Sequence, residues 1–141
     1  MQLSFYLDLI KQMTIGNYRG RKILAKPIFV IAVIESIAKG KITDNRLFYD
    51  DLIEEYTHVY HMYIGKNVTP MHKPFYYMQH DGFWHIQYLN IPVAINSVRS
   101  VRDNIEYAYL DTALWTLLQD KEARKNIKDE IVRFFKLDES N

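Results

Sequence analysis

The chain has 141 residues, 48% of them hydrophobic and 25% charged, which is one domain's worth of sequence with enough apolar material for a sizeable core. It has no cysteine, which excludes disulfides, thiolate metal sites and a cysteine nucleophile. The net charge of +1 offers no overall attraction for a polyanion, so any such role must come from how the charges are distributed. They fall in bands. Residues 1–49 hold eight Lys/Arg against three Asp/Glu, residues 50–65 carry four acids and no Lys/Arg, and residues 66–102 have four bases and one acid. The remainder holds six bases and nine acids. Folding can gather such bands into one basic face, although ordinary surface charge is the better explanation of them on their own. The content of 14% aromatic residues is high, and some rings are expected at a binding surface. No apolar run is long enough to span a bilayer, and the first residues lack a basic leader and a small-residue cleavage site. The expectation is a cytoplasmic protein with no membrane partner.

In chain order, residues 2–13 predict an amphipathic helix with Leu3, Tyr6, Leu7, Ile10 and Met13 on one stripe. A Gly-punctuated basic loop follows, from Gly16 to Lys22. Pro27 is expected to open a second helix and Gly40 to close it. Its residues Ile28 to Ile34 are apolar on every face, so it should be the central core helix. Arg46–Tyr49 reads as a short extended piece. Asp50 is the expected cap of a third helix that runs to about Ile64. The loop 66–74 is basic. Asp81-Gly82 then stands between two aromatic runs, the pattern of a two-residue type I′ hairpin turn. That reading pairs Phe75 with Tyr88 and Gln79 with Trp84. It places Phe75, Tyr77, Trp84 and Ile86 on a core face, with Tyr76, Met78, His80 and His85 on the other. After Pro92 helices are expected at about 94–104, 110–118 and 120–136. The expected fold is a single α+β domain over 1–141, mainly helical with one β-hairpin, in a layout like that of a winged helix-turn-helix.

No catalytic constellation emerges. Glu55 and His58 lie three apart on one helix face, with His61 continuing it, but a di-iron bundle needs a second such pair and two further glutamates. A polar helix edge explains them better. There is no phosphate-binding glycine loop, and five scattered histidines without cysteine make no structural zinc site. Neither cofactor nor metal is expected. The more informative residues are Arg19, Arg21, Lys22 and Lys26, a basic loop running into the start of a helix, where backbone N–H groups and the helix dipole favour a phosphate. His72, Lys73, Pro74 and Tyr76 set a cation among rings and a proline in the same way at the foot of the expected hairpin. From these residues alone, a nucleic-acid surface and a set of solvated loops are equally good readings.

Three stretches add a resemblance. Ala25-Lys26-Pro27-Ile28-Phe29-Val30-Ile31, Lys73-Pro74-Phe75-Tyr76-Tyr77-Met78-Gln79-His80-Asp81-Gly82-Phe83-Trp84 and Tyr107-Ala108-Tyr109-Leu110-Asp111-Thr112-Ala113-Leu114-Trp115 together resemble the N-terminal recognition domain of McrA-type HNH restriction endonucleases. The resemblance runs from about residue 3 to residue 136. Some members of that group recognise DNA whose backbone carries phosphorothioate sulfur. By position, Lys26 would match the basic residue at the helix start, and Lys73-Pro74 the pair that walls the pocket. The resemblance therefore implies a module for double-stranded DNA, ordinary or phosphorothioate-modified, in a restriction or defence setting. No HNH finger is present in these 141 residues, so the chain is expected to be a reader without nuclease activity, either on its own or joined to a nuclease partner or further C-terminal domain. The alternative is a protein-interaction subunit that has the fold and does not bind DNA.

Overall fold

Helix α2 (Ala25–Ala38) lies at the centre of the molecule because its sequence leaves no polar stripe to face water: Ile28, Phe29, Ile31, Ala32, Val33 and Ile34 are all buried. The computed structural model describes residues 2–139. Around α2 pack α3 (Tyr49–Tyr63), α4 (His72–Tyr77) and α7 (Lys121–Phe134), while α1 (Gln2–Lys11) rests on α6 (Thr112–Leu117) and α7. One continuous hydrophobic core joins them. The domain is α+β and mainly helical, with two small antiparallel strand pairs among the described residues: β1 (Gly16–Tyr18) with β2 (Arg21–Ile23), and β3 (Trp84–Tyr88) with β4 (Ile105–Leu110). Helix α5 (Val98–Asn104) leads into β4. No helix among the described residues is long and apolar enough to cross a membrane.

The hairpin expected at residues 75–88 does not form. Residues 72–77 are α-helical, 78–81 make one 3₁₀ turn, and only 84–88 are extended. The reason lies in the burial period. Met71, Phe75 and Met78 are buried while Tyr77 and His80 are exposed, a spacing of three to four that fits a helix and not an alternating strand. Pro74 falls in the first turn of α4, where its missing N–H costs nothing. Gly82 does take a positive φ of 98°, but as the left-handed residue that stops the 3₁₀ turn, and Asp81 has none. Strand β3 instead pairs with β4, His85 opposite Tyr109 and Ile86 opposite Ala108.

The I′ pattern occurs elsewhere. Tyr18 pairs with Arg21 across the two-residue loop Arg19-Gly20, and both loop residues have positive φ, 53° and 80°. The Asn17 side chain accepts a hydrogen bond from the Gly20 N–H at 3.0 Å, which favours the reversal. The basic loop is thus a formed hairpin. Helix α2 begins at Ala25, so Lys26 lies inside its first turn and does not precede it. The third helix begins at Tyr49, with Asp50 in its first turn and Phe48 at the cap. The helix expected from about 94 starts only at Val98, where Ser97 and Ser100 form a reciprocal capping box.

Candidate nucleic-acid interface

The β1–β2 hairpin, the first turn of α2 and the outer face of α4 enclose a cleft of about 620 Å³. Each element presents a side chain for a local reason. In α4, residues 73, 77 and 80 follow one another at helical spacing, so the turn that buries Phe75 and Met78 turns Lys73, Tyr77 and His80 outward into the cleft. Tyr77, expected in the core, is 48% exposed and lines it. In the hairpin, Tyr18 and Gly16 face the cleft, and Ile23 closes the end where the chain enters α2. Ala25 and Lys26 come from the first helical turn, and Thr69, Pro70 and Pro74 complete the wall. The cleft is therefore walled mainly by rings, prolines and aliphatic carbon, with Thr14 and Thr69 among them, and no Asp or Glu of the described residues lines it.

Its cations are of two kinds. Lys26 is held: its Nζ donates to Asp81 Oδ2 at 2.6 Å, and the side chains are only 13% and 3% exposed. Asp81 is itself fixed, since its Oδ1 accepts the Thr14 backbone N–H at 3.1 Å. Arg19, Arg21, Lys22 and Lys73, by contrast, form no ion pair with any described residue. Arg19 lies over the Tyr18 ring, 5.1 Å from its centroid, a cation–π contact that leaves the guanidinium edge free to donate. Elsewhere many long basic side chains have acidic partners, as in Lys11 with Glu130, Arg102 with Asp50 and Lys128 with Glu35, while Lys66, Lys121 and Arg124 have none among the described residues. Four of the basic side chains without an acidic partner thus lie on the hairpin and the helix that form this cleft.

Of the residues singled out in the sequence, Lys26, Lys73 and Pro74 line the cleft directly. Arg19, Arg21 and Lys22 are exposed on the β1–β2 hairpin without lining it, and Lys22, paired with Asn17, is on the face opposite Gly16, Tyr18 and Ile23. His72 and Tyr76 do not line it. His72 is buried, and its Nδ1 finds no hydrogen-bond partner. Burial, with the charge of Lys73 adding to it, holds its imidazolium below the ordinary histidine range. Tyr76 is half-buried, its ring edge-on to Tyr77 at 4.9 Å. Tyr18, Tyr77 and His80 are additions. Reading 72–80 as a helix would have found the last two, because they continue the face of Lys73.

The Glu55–His58 face is structural. Glu55 is buried and receives Lys39 Nζ at 3.0 Å on both oxygens and Lys41 Nζ at 3.3 Å on one. Burial acts to raise its pKa, but the two lysines outweigh that and hold it below the usual carboxylate range. His58 on the same face is exposed. A second polar cluster joins Asp111 to Tyr6 (2.9 Å) and to His85 Nε2 (2.5 Å), with burial and that carboxylate pushing the Tyr6 hydroxyl up to about 12. No three His, Cys, Asp or Glu side chains among the described residues converge as a metal site.

No protein-family model and no curated protein matches this sequence. Its shape is similar to a solved structure, the sulfur-binding domain of SprMcrA complexed with phosphorothioated DNA, with a TM-score of 0.68 over 99% of this chain and 96% of that chain. The two share one fold. Sequence identity is 12%, so the likeness is one of architecture.

Proposed function

We propose that this domain binds double-stranded DNA by seating one backbone phosphate at the α2–α4 cleft, as a reader without catalytic residues of its own. The observation that carries this reading is the placement of charge. Four basic side chains without acidic partners, three on the β1–β2 hairpin and Lys73 on α4, belong to the elements that form a cleft whose walls are largely apolar and aromatic. Phosphate contacts from such side chains position a duplex without reading its sequence. The shared fold supports the same assignment and, more loosely, a restriction setting.

The finer reading is that the seated group is a phosphorothioate. A non-bridging sulfur is larger, softer and less strongly hydrated than oxygen. Pro74, Pro70, Tyr77 and Ile23 offer it carbon surface that does nothing for a hydrated phosphate oxygen. The test is fluorescence anisotropy on paired duplexes, with and without one sulfur, across a salt series. Four released counterions correspond to a log–log salt slope of about −3 to −4. A tighter complex with the sulfur duplex supports the finer reading. Binding without that preference leaves the general one, and no binding even at low salt returns the protein-interaction alternative.

A further inference from the structure

The Lys26–Asp81 pair has a consequence for selectivity that rests on the cleft being a backbone site. We propose that Asp81 is the residue that sets discrimination against an ordinary phosphate, by masking the cation at the floor of the cleft. Lys26 is the only Lys or Arg at the cleft with an acidic partner among the described residues, and that partner lies beneath it, away from the cleft lining. A ligand atom that enters therefore meets the ammonium first and the carboxylate behind it.

The magnitude of the masking follows from distance. An oxygen in contact with Nζ would be roughly 3 Å from the positive charge and roughly 5–6 Å from the negative one, so the carboxylate cancels about half of the attraction. This matters unequally for the two backbones. Oxygen is a strong hydrogen-bond acceptor that approaches an ammonium closely, whereas sulfur is larger and a weak acceptor. A bare lysine at the floor would reward oxygen more than sulfur. A masked one leaves the apolar wall, which rewards sulfur more than oxygen, to decide. The Thr14 N–H holds Asp81 in that masking position independently of Lys26.

The experiment is a double-mutant cycle on the whole chain, read as affinity for the paired duplexes across a salt series, with thermal melts as the folding control. Asn at position 81 keeps an acceptor for the Thr14 N–H. Asp81→Asn is expected to tighten the ordinary duplex about tenfold and the sulfur duplex only about threefold, and to steepen the salt slope by about one unit. The neutral pair Lys26→Gln with Asp81→Asn should show none of the single variant's gain for the ordinary duplex and should hold the salt slope within about half a unit of the wild type. Unchanged affinities in Asp81→Asn, or equal weakening of both duplexes, would overturn the proposal. If that variant does not fold, the double variant decides: a slope flattened by one unit would mean that Lys26 acts as an unmasked cation and would overturn it. Wild-type protein without a sulfur preference would sink the finer functional reading and this proposal together. A wild-type preference that Asp81→Asn leaves untouched sinks this proposal alone.

Discussion

The Trp84 indole N–H donates to the Phe75 carbonyl oxygen at 2.7 Å, and the two rings meet edge to face with centroids 5.6 Å apart. This contact ties strand β3 to helix α4 and thereby sets the rotation of the helix whose other face lines the cleft. Trp84 is fully buried, so its replacement removes both packing and a donor. Trp84→Phe is expected to cost about 2 kcal/mol, with loss of the hydrogen bond and a partial cavity both contributing. Chemical denaturation measures this directly, and an unchanged midpoint would show that α4 is held by other contacts.

Two glycines separate stability from binding. At Gly82 the left-handed backbone ends the 3₁₀ turn against the core, so Gly82→Val should destabilise by more than about 1 kcal/mol. Gly20 has positive φ in a hairpin that is almost wholly exposed, and a Cβ there would meet nothing within 4 Å. Gly20→Val should therefore open the Arg19–Arg21 turn and lower DNA affinity several-fold while leaving the melting temperature within a few degrees. A large loss of stability at Gly20 would show that the hairpin is part of the folding core.

What was legible in the sequence divides along physical lines. Helix α2 could be read because eight consecutive residues without a polar side chain from Pro27 to Ile34 admit only a buried element, and α1, α3, α6 and α7 lie within two residues of their apolar stripes. The aromatic run 75–78 misled because four consecutive Phe, Tyr and Met residues have the composition of a strand, and Asp81-Gly82 supplied a turn motif after it. Tertiary contact with Phe29 and Trp84 decides for the helix there. Strand β4 went unread because Tyr107-Ala108-Tyr109 is short, and its partner, β3, is set by tertiary pairing and not by a local turn. For the site, cationic loops were visible but ion pairing was not: nothing local links Lys26 to a carboxylate 55 positions away.

The buried imidazole of His72 predicts an acid sensitivity. Its folded-state pKa is depressed, by burial first and by Lys73 second, so the unfolded chain binds its proton at a higher pH than the folded one. Stability from this group is fully present above the unfolded value of about 6.5 and declines as pH falls through it. The melting temperature should drop between pH 7.5 and 5.5, and His72→Leu should remove part of that drop. Identical pH profiles for the two proteins would contradict the assignment.

The most direct test of the backbone-binding account is the salt dependence of duplex affinity in Lys73→Gln beside the wild type. Lys73 is exposed, has no acidic partner among the described residues and faces the cleft from α4. If it contacts a phosphate, the variant should bind ordinary duplexes of different sequence more weakly by the same factor and flatten the log–log slope by about one unit, with no change in melting temperature. An unaltered slope and unaltered affinity would contradict the placement of DNA at this cleft.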